Sequence, residues 1–435
     1  MHIFFRFMSA VIFLITVLLS HQLLAKEPHS SGSHNYVESI YKTSSVLTLP
    51  NAIKRAIKAS PRLKSVQAKL DATEGQKKQA GSWKNPELSF EAENIAGDDD
   101  FGGTRNAEYT YGLKQTIEIG GKRPARKNVA AAINKATQAS VLSELLTLER
   151  DVHIAYADVL AAAEAVKLAL EQEQLAKDVL NIVSKRVRAA AEPDIKQSKA
   201  EVAHATSVIA REKEERDLRI AKEKLARLWG ASTLDVSLDH AHFFDLTGPE
   251  LLKVYQDKFS NIPDIQRLRF LQVEKSALLE LEKAQAIPDP TFNLGVRDFK
   301  AHSEQAFIFG VSLPIPILNQ NSGNIAKAQA EVTQSQADAQ QAQLVLEQQL
   351  VENWEQWHTS FSKIEHLEKS LLPAAEKAFK LARSGYEKGK FTYLEVLDAQ
   401  RTLFSARAQY HNALKTYHAS RANVERLTTS TGASL

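Results

Sequence analysis

The chain has 435 residues, of which 43% are hydrophobic, and its formal net charge is +3. This length allows a large core or two domains, and the near-neutral, interspersed charge gives no indication of nucleic-acid binding. The absence of cysteine excludes disulfides, zinc–thiolate sites and a lipidated N-terminal cysteine. The low content of glycine (17) and proline (13) favours long, uninterrupted helices.

The N-terminus has the pattern of a secretory signal peptide. Arg6 supplies positive charge, an apolar run covers residues 8–19, and Ala25 offers a small residue for cleavage. The run is too short to cross a bilayer well, and no other stretch has about 18 consecutive apolar residues. Residues 1–25 are therefore predicted to be a signal peptide, and the polar, serine-rich residues 26–45 a flexible leader.

A first structural repeat is predicted over residues 46–230. Its elements, in chain order, are a helix over 49–84 broken at Pro61, a strand near 88–94, a polar loop, a strand near 109–119, a helix over 125–192 and a helix over 194–229. The helix over 125–192 contains neither glycine nor proline, so it would be roughly 100 Å long. Six of its residues step 4-3-4-3-4 as a heptad seam: Val152, Tyr156, Val159, Ala163, Val166 and Leu170.

A second repeat is predicted over residues 251–428, after a linker at 231–250 and before a tail at 429–435. Its elements are a helix over 251–286 broken at Pro263, strands near 291–299 and 306–313, a helix over 324–372, and a closing helix over 391–427. Its seam residues step 3-4-3-4: Val332, Ser335, Ala339, Ala342 and Leu346. The repeats are related by spacings of 198 (Tyr111-Gly112 and Phe309-Gly310; Tyr156 and Trp354) and 204 (Asn85-Pro86 and Asp289-Pro290).

The duplication forces copies of the chain to assemble. Four strands of about 9–11 residues are long enough to cross a bilayer, but an open sheet edge is not tolerated in lipid. Eight strands would be filled by their own side chains, whereas twelve enclose water. The residues thus favour an oligomeric duct that crosses an outer membrane and continues as helices into the periplasm. A non-conducting coiled-coil stalk is the alternative, because long heptad helices often form one.

Five sequence segments resemble the TolC-type outer-membrane efflux family, in particular its heavy-metal, CzcC-like branch. The resemblance covers the chain from about Leu47 to Leu427, and its motifs are QTIEIGGKRPAR at 115–126, VSLPIPILN at 311–319 with NSGNI at 321–325, and YEKG at 386–389 with EVLDAQ at 395–400. It implies a mainly α protein with a small membrane β part: a homotrimer whose 12-stranded β-barrel is continued by a long α-helical periplasmic barrel.

The same resemblance implies the partners and the function. The partners would be a periplasmic membrane-fusion adaptor, a proton-driven inner-membrane pump of the resistance–nodulation–division class, and outer-membrane lipid. The cargo would be divalent cations such as cobalt, zinc or cadmium. Organic drugs or secreted polypeptide remain alternative cargoes. No catalytic or cofactor motif is present, so neither enzymatic activity nor a cofactor is expected.

Glu395 and Asp398 are the predicted pore constriction. They are three residues apart and therefore share a helix face. By resemblance they occupy the places of two aspartates that line the family's periplasmic constriction, where acidic rings would favour cations. The alternative interpretation is an ordinary solvated acidic face.

The predicted gate and adaptor-contacting tips lie at the two helix reversals. Tyr386 matches a latch tyrosine of TolC, but Phe391, beside Lys390, stands where the latch arginine would be. The remaining tip residues are Gly389, Pro193 and Asp194. Their alternative role is helix reversal, with N-capping by Asp194 or Thr392.

Two further groups of residues were singled out by the sequence. The predicted strand-to-helix junctions are Gly120, Gly121, Lys122 and Arg123 in repeat one, and Pro314 and Pro316 in repeat two. Transient metal contacts are conceivable at His29, His34, His240 and His242. Because no third ligand accompanies either histidine pair, we expect no stable metal site.

Overall fold

The structure, a computed structural model, describes residues 46–241 and 243–430. The parts outside the described residues are the predicted signal peptide and leader, residues 431–435, and three of the singled-out histidines, His29, His34 and His242.

Two units with the same order of elements follow each other along the chain. The first contains α1 (Leu49–Ala59), α2 (Pro61–Ala80), β1 (Glu87–Glu93), β2 (Glu108–Thr116), α3 (Lys122–Arg188) and α4 (Asp194–Arg227). The second contains α5 (Leu252–Lys258), α6 (Pro263–Gln285), β3 (Thr291–Phe299), β4 (Glu304–Ser312), α7 (Ser322–His366), α8 (Leu372–Glu387) and α9 (Tyr393–Thr428). Short 3₁₀ turns lie at Asp99–Phe101 and Phe259–Asn261, and a π turn lies at Leu367–Leu371.

The long helix α3 has 67 residues, which corresponds to roughly 100 Å. It begins three residues before the predicted start, because Gly121 supplies a left-handed cap (φ 78°) and Pro124 falls in the first turn, where an N–H has no intrahelical acceptor. Its last turn ends at Arg188, before the predicted end, since Ala190 leaves the helical conformation (φ 53°). Among the described residues, none of the helices is long and apolar enough to span a membrane.

The helix predicted over 324–372 continues farther than expected. The π turn joins α7 to α8, so that the rod runs on to Glu387. Pro373 lies at the start of α8, and its missing N–H explains why the regular hydrogen-bond ladder is interrupted just before it.

The two predicted seams differ in outcome. In α7, Val332, Ser335, Ala339, Ala342 and Leu346 are all partly buried between exposed neighbours. In α3, Val152, Tyr156 and Val159 are buried, whereas Leu170 is 48% exposed and Ala169 is buried instead. The reason is a change of neighbours: the helix packs into the main core near Tyr156, but against the tips of other helices near Val183.

The four strands form one antiparallel sheet in the order β1-β2-β3-β4. Phe90 is paired with Tyr111 in the first hairpin, and Leu294 with Phe309 in the second. β3 has the predicted bounds, and β1 and β4 begin one and two residues before the predicted positions. β2 ends at Thr116 rather than at residue 119. Beyond Thr116 the chain turns toward the residues just before β3, and Ile117 N donates to Pro290 O at 2.9 Å.

The two faces of the sheet differ in chemistry. The exposed side chains of one face are apolar: Leu88, Phe90, Tyr111, Leu113, Phe292, Leu294, Phe307, Phe309 and Val311. The opposite face is mostly polar: Glu87, Ser89, Glu91, Glu108, Thr110, Lys114, Asn293 and Arg297. Alternation along each strand produces this division, since successive side chains point to opposite faces.

The predicted linker 231–250 is part of the main core. Phe243 in this segment is 2% exposed. The Tyr156 hydroxyl donates a hydrogen bond to Leu47 O at 2.7 Å, just before α1. Trp354, its counterpart in the second unit, donates through Nε1 to Glu250 O at 2.9 Å, just before α5. The repeated aromatic therefore anchors the entry segment of each unit.

Candidate functional site at the helix tips

The reversal between α8 and α9 is closed by hydrogen bonds from the backbone. Lys390 N donates to Gly385 O at 2.7 Å, and Gly389 N donates to Tyr386 O at 3.0 Å. This is the pattern of a Schellman motif, in which the residue after the cap is left-handed, and Gly389 has φ 71°. Glycine is favoured there because it has no Cβ.

The Phe391 side chain folds back onto the last turn of α8. A Cβ added at Gly385 would lie 2.1 Å from Phe391 Cδ2, so only glycine allows the ring to approach this closely. Phe391 therefore packs against its own tip.

The first turn of α9 is held by a capping box. Thr392 Oγ1 accepts from Glu395 N at 3.4 Å, while Thr392 N donates to the Glu395 carboxylate at 2.5 Å. The hydrogen bonds from the Thr392 N–H and hydroxyl lower the pKa of Glu395 below its usual value. Glu395 is thus fixed in its ionised form at the helix N-terminus, and the prediction of N-capping by Thr392 agrees with this geometry.

The reversal between α3 and α4 has the same backbone pattern. Ala191 N donates to Arg186 O at 2.9 Å, and Ala190 N donates to Val187 O at 2.8 Å. Here the left-handed position is occupied by Ala190 (φ 53°), which corresponds to Gly389 of the other tip. The cap of α4 differs from the sequence-based expectation: Pro193 occupies the N-cap position, and Asp194 is the first helical residue with no side-chain capping bond.

The two tips pack on each other. Their shared apolar cluster contains Val179, Val183, Ala200, Ala382, Tyr386, Tyr393 and Val396. Tyr386 is 3% exposed, and its ring centroid lies 6.1 Å from that of Tyr393. Arg186 covers the Tyr386 ring, with its guanidinium carbon 4.5 Å from the centroid. Sequence reasoning missed Arg186, because nothing along the chain marks which side chain faces Tyr386.

Both predicted constriction acids are exposed at the start of α9. Asp398 lines an open groove between α3, α4 and α9, together with Lys199 and Arg401. Because Glu395 and Asp398 are three residues apart on one helix, they lie on neighbouring turns of the same face.

The strand-to-helix junction of repeat one is held by paired charges. Lys122 Nζ lies 2.6 Å from Asp289 Oδ1, and both side chains are largely buried. Burial would raise the pKa of Asp289, but the hydrogen bonds from Lys122 and from the Ile119 N–H outweigh it and lower the pKa. In the sequence, Asp289 stands out only as half of a repeated dipeptide.

Glycine and arginine complete this junction. Gly120 and Gly121 both have positive φ, and a Cβ at Gly120 would lie 2.7 Å from Ile287 Cδ1. Arg123 donates to Gly81 O at 2.6 Å and covers the ring of Trp83.

The corresponding segment of repeat two contains Pro314 and Pro316. Its apolar side chains are exposed: Leu313, Ile315, Ile317 and Leu318.

The singled-out histidine that the structure describes has one carboxylate neighbour. His240 Nδ1 lies 3.6 Å from Glu164 Oε1. In the described part of the chain, no group of three or more histidine or carboxylate side chains is placed to hold a metal ion. Two partly buried histidines that the sequence did not mark, His153 and His418, lie instead in a cavity beside Tyr156.

Comparisons with known proteins agree with the fold and the motifs. A family model described as "Outer membrane efflux protein" matches residues 52–231 and 254–430. The cobalt-zinc-cadmium resistance protein CzcC of Cupriavidus metallidurans is 32% identical over 375 residues, which are 86% of this chain and 88% of CzcC. The nickel-cobalt-cadmium resistance protein NccC of Alcaligenes xylosoxydans xylosoxydans is 24% identical over 66% of this chain and 64% of NccC.

A solved structure gives the same result for the fold. CusC, a protein studied for the conformational changes that accompany folding and transmembrane channel formation, matches with a TM-score of 0.74. The match covers 88% of this chain and 92% of CusC at 17% identity, so that it shows the fold alone. The prediction of a mainly helical fold with a small sheet is confirmed.

Proposed function

Because the chain belongs to the outer membrane efflux protein family, it is an outer-membrane exit duct, and we propose that three copies form the duct of a tripartite system that exports divalent heavy-metal cations. The duct reaches into the periplasm through its helices and has a transport role rather than a catalytic one. Its energy would come from an inner-membrane, proton-driven pump, to which a periplasmic adaptor connects it.

The single observation that carries this proposal is the division of the sheet into an apolar and a polar face. Aromatic and aliphatic side chains on one face, such as Phe90 and Phe309, suit contact with lipid, while Glu91 and Lys114 on the other suit water. A coiled-coil stalk would have no need of such a sheet. With four strands in the described part of each chain, three copies supply twelve, which is enough to enclose an aqueous channel.

Several observations favour cations as cargo. The relative CzcC is named for resistance to cobalt, zinc and cadmium. Glu395 and Asp398 are exposed acids at the helix tips, and three copies would arrange them as stacked rings. Both methionines precede residue 9 and no cysteine is present, so the exported chain lacks the soft ligands that Cu(I) prefers.

The tips are proposed to contact the adaptor. They are exposed at Pro193 and Asp194 in the first unit, and at Gly389, Lys390 and Phe391 in the second. Tyr386, in contrast, is buried in the protomer, so its part is to hold the two tips together.

The pore assignment is tested by conductance in planar bilayers. We expect the double variant Glu395→Gln/Asp398→Asn to conduct with a reduced preference for cations over anions, because the acidic rings would be neutralised. Glu387→Gln is the matched control, since Glu387 is also exposed near the tip but lies on α8. Unchanged selectivity in the double variant would overturn the pore assignment, and absence of any current in the natural protein would overturn the duct.

The cargo is tested separately in cells. Deletion of the gene is expected to reduce tolerance to cobalt, zinc and cadmium, whereas tolerance to dyes and detergents stays the same. Restoration by the natural gene is the control. Loss of dye tolerance with unchanged metal tolerance would contradict metal cations as the cargo and would indicate organic compounds instead.

A further inference from the structure

The start of α3 carries four basic side chains, which fall into two pairs. Lys122 and Arg126 each form an ion pair with a carboxylate at 2.6 Å. Arg123 and Lys127, in contrast, have no carboxylate partner among the described residues. Two cations therefore remain without a counter-ion at the point where the sheet passes into the helices.

An exposed tryptophan lies beside these two cations. Trp83 is 58% exposed, whereas the other three tryptophans belong to the main core. The guanidinium carbon of Arg123 lies 4.6 Å from the centroid of the Trp83 ring, and Arg123 Nε donates to Gly81 O at 2.6 Å. Lys127 reaches the same turn, because a Cβ added at Gly81 would lie 3.9 Å from Lys127 Cδ. Trp83, Arg123 and Lys127 therefore form one group, called here the Trp83 group.

The Trp83 group lies on the side of the apolar face of the sheet. Lys84 Nζ is 3.5 Å from Asp289 Oδ2, and Asp289 stands four residues before Asn293 of the polar face. Residues 82–86 form neither a helix nor a turn, and adjacent residues of an extended segment point to opposite sides. Since Lys84 points to the polar side, Trp83 points to the apolar side.

Exposed apolar side chains surround the same level of the molecule. Ile119 lies three residues beyond β2, and Leu313, Ile315 and Ile317 follow β4 directly. Aromatic rings and long basic side chains beside apolar ones, at the end of strands with a lipid-facing side, are typical of a membrane–water boundary. The basic side chains keep their charged ends among the head groups while their stems cover apolar surface.

We propose that the Trp83 group binds the phosphate of an anionic phospholipid in the periplasmic leaflet of the outer membrane. A guanidinium that is stacked on an aromatic ring keeps N–H groups at its edge for a phosphate, and Lys127 adds a second positive charge. The exposed Trp83 ring and Ile119 offer apolar contact to the acyl chains, which a free phosphate ion does not have. The inference rests on the proposed crossing of the membrane by the sheet, and it adds a lipid site.

The site is tested by tryptophan fluorescence of the mature protein in lipid bilayers. Brominated phosphatidylglycerol, which is anionic, and brominated phosphatidylcholine, which has no net charge, are compared as quenchers at the same fraction in a phosphatidylcholine bilayer. Trp83 is the tryptophan within reach of these quenchers, because the other three lie in the main core. We expect stronger quenching by phosphatidylglycerol in the natural protein, and no quenching in Trp83→Phe.

Two variants remove the positive charges. Lys127→Gln is expected to reduce the preference for phosphatidylglycerol roughly five-fold, the usual effect of one basic side chain near an anionic membrane surface. Arg123→Gln/Lys127→Gln is expected to abolish it. Lys127 is exposed and makes no bond within the described part of the protein, so the single variant serves if the double variant does not fold. The matched control is Lys54→Gln/Lys58→Gln, which removes two exposed lysines from α1.

The outcomes separate the lipid site from the proposed function. Equal quenching of the natural protein by the two lipids overturns the site, as does an unchanged preference in Lys127→Gln or an equal loss in the control. Loss of the preference when inorganic phosphate replaces chloride at constant ionic strength would assign the group to free phosphate and overturn the lipid as its ligand. A current through the same bilayers shows that the duct is intact in each case. A natural protein that is quenched by neither lipid and carries no current overturns the proposed function together with the site.

Discussion

Arg186 lies over the ring of Tyr386, with its guanidinium carbon 4.5 Å from the ring centroid. Arg186 belongs to the last turn of the helix before the first tip, and Tyr386 to the last turn before the second. The contact therefore joins the two repeats at their helix tips. Arg186 also lies 3.8 Å from Glu192 of its own tip. The sequence pointed to Tyr386 and Phe391, but Phe391 contacts Gly385 of its own tip instead.

Removal of the Arg186 charge is expected to loosen the packing of the tips. Arg186→Met keeps an aliphatic side chain but loses the cation–π contact, which contributes about 0.5–1 kcal/mol at a partly exposed site. Amide hydrogen exchange around Tyr386 should become about two- to five-fold faster. Arg188→Met is the control, because Arg188 is exposed. Equal exchange in the two variants would contradict a role of Arg186 in joining the tips.

Ala190→Gly is expected to stabilise the first tip. Ala190 adopts φ 53°, a left-handed conformation in which its Cβ is crowded, whereas glycine is not strained there. The gain should be about 0.5–1 kcal/mol in local stability. Gly389→Ala should cost the second tip a similar amount. Hydrogen exchange measures both, and Ala189→Gly, at φ −83°, is the control that should not stabilise. Faster exchange in Ala190→Gly would contradict the prediction.

Arg426→Met is expected to destabilise the whole fold. Arg426 donates one hydrogen bond to Asp264 at 3.0 Å and forms an ion-pair contact with its other carboxylate oxygen at 2.9 Å, and both side chains are largely buried. The variant leaves the Asp264 carboxylate buried without its counter-ion, which costs about 3–5 kcal/mol. Arg383→Met is the control, since Arg383 pairs with Glu387 at the surface and contributes about 0–1 kcal/mol. Thermal unfolding in detergent compares them, and equal melting temperatures would refute the prediction.

The partly buried histidines His153 and His418 are expected to make the protein less stable in acid. Burial lowers the pKa of His153 and His418 below the ordinary 6.5. A base with a lowered pKa binds fewer protons when folded, so stability is lost as the pH falls below 6.5. His418 lies 2.9 Å from Phe243 O through Nε2, a bond that glutamine can also donate.

His418→Gln should therefore reduce the loss of melting temperature between about pH 8 and about pH 5. The surrounding charges are Arg421 and Glu425 on the same helix and His153 on the long helix of the first repeat. His302→Gln is the control, because His302 is exposed in the loop between β3 and β4. An unchanged pH dependence in His418→Gln would show that other groups cause the acid sensitivity.

Much of the local structure followed from the chain itself. The absence of glycine and proline predicted the long helices, and the alternation of side chains predicted all four strands within three residues at each end. Local patterns suffice here because helix and strand periodicities depend on the nearest residues. The end of β2 was predicted too late, because Ile117 and Ile119 bond to the segment around Pro290, which is distant in sequence.

The sequence by itself determined the duplicated architecture and the long helices, since both depend on spacing and composition. Only the tertiary structure decided that Arg186 meets Tyr386, that Lys122 meets Asp289, and that the two hairpins join in one register. Such contacts depend on how the backbones are placed in space. The chain has many basic and acidic side chains, so the sequence allows many possible pairs. The packing of the helices and strands decides which of them come into contact.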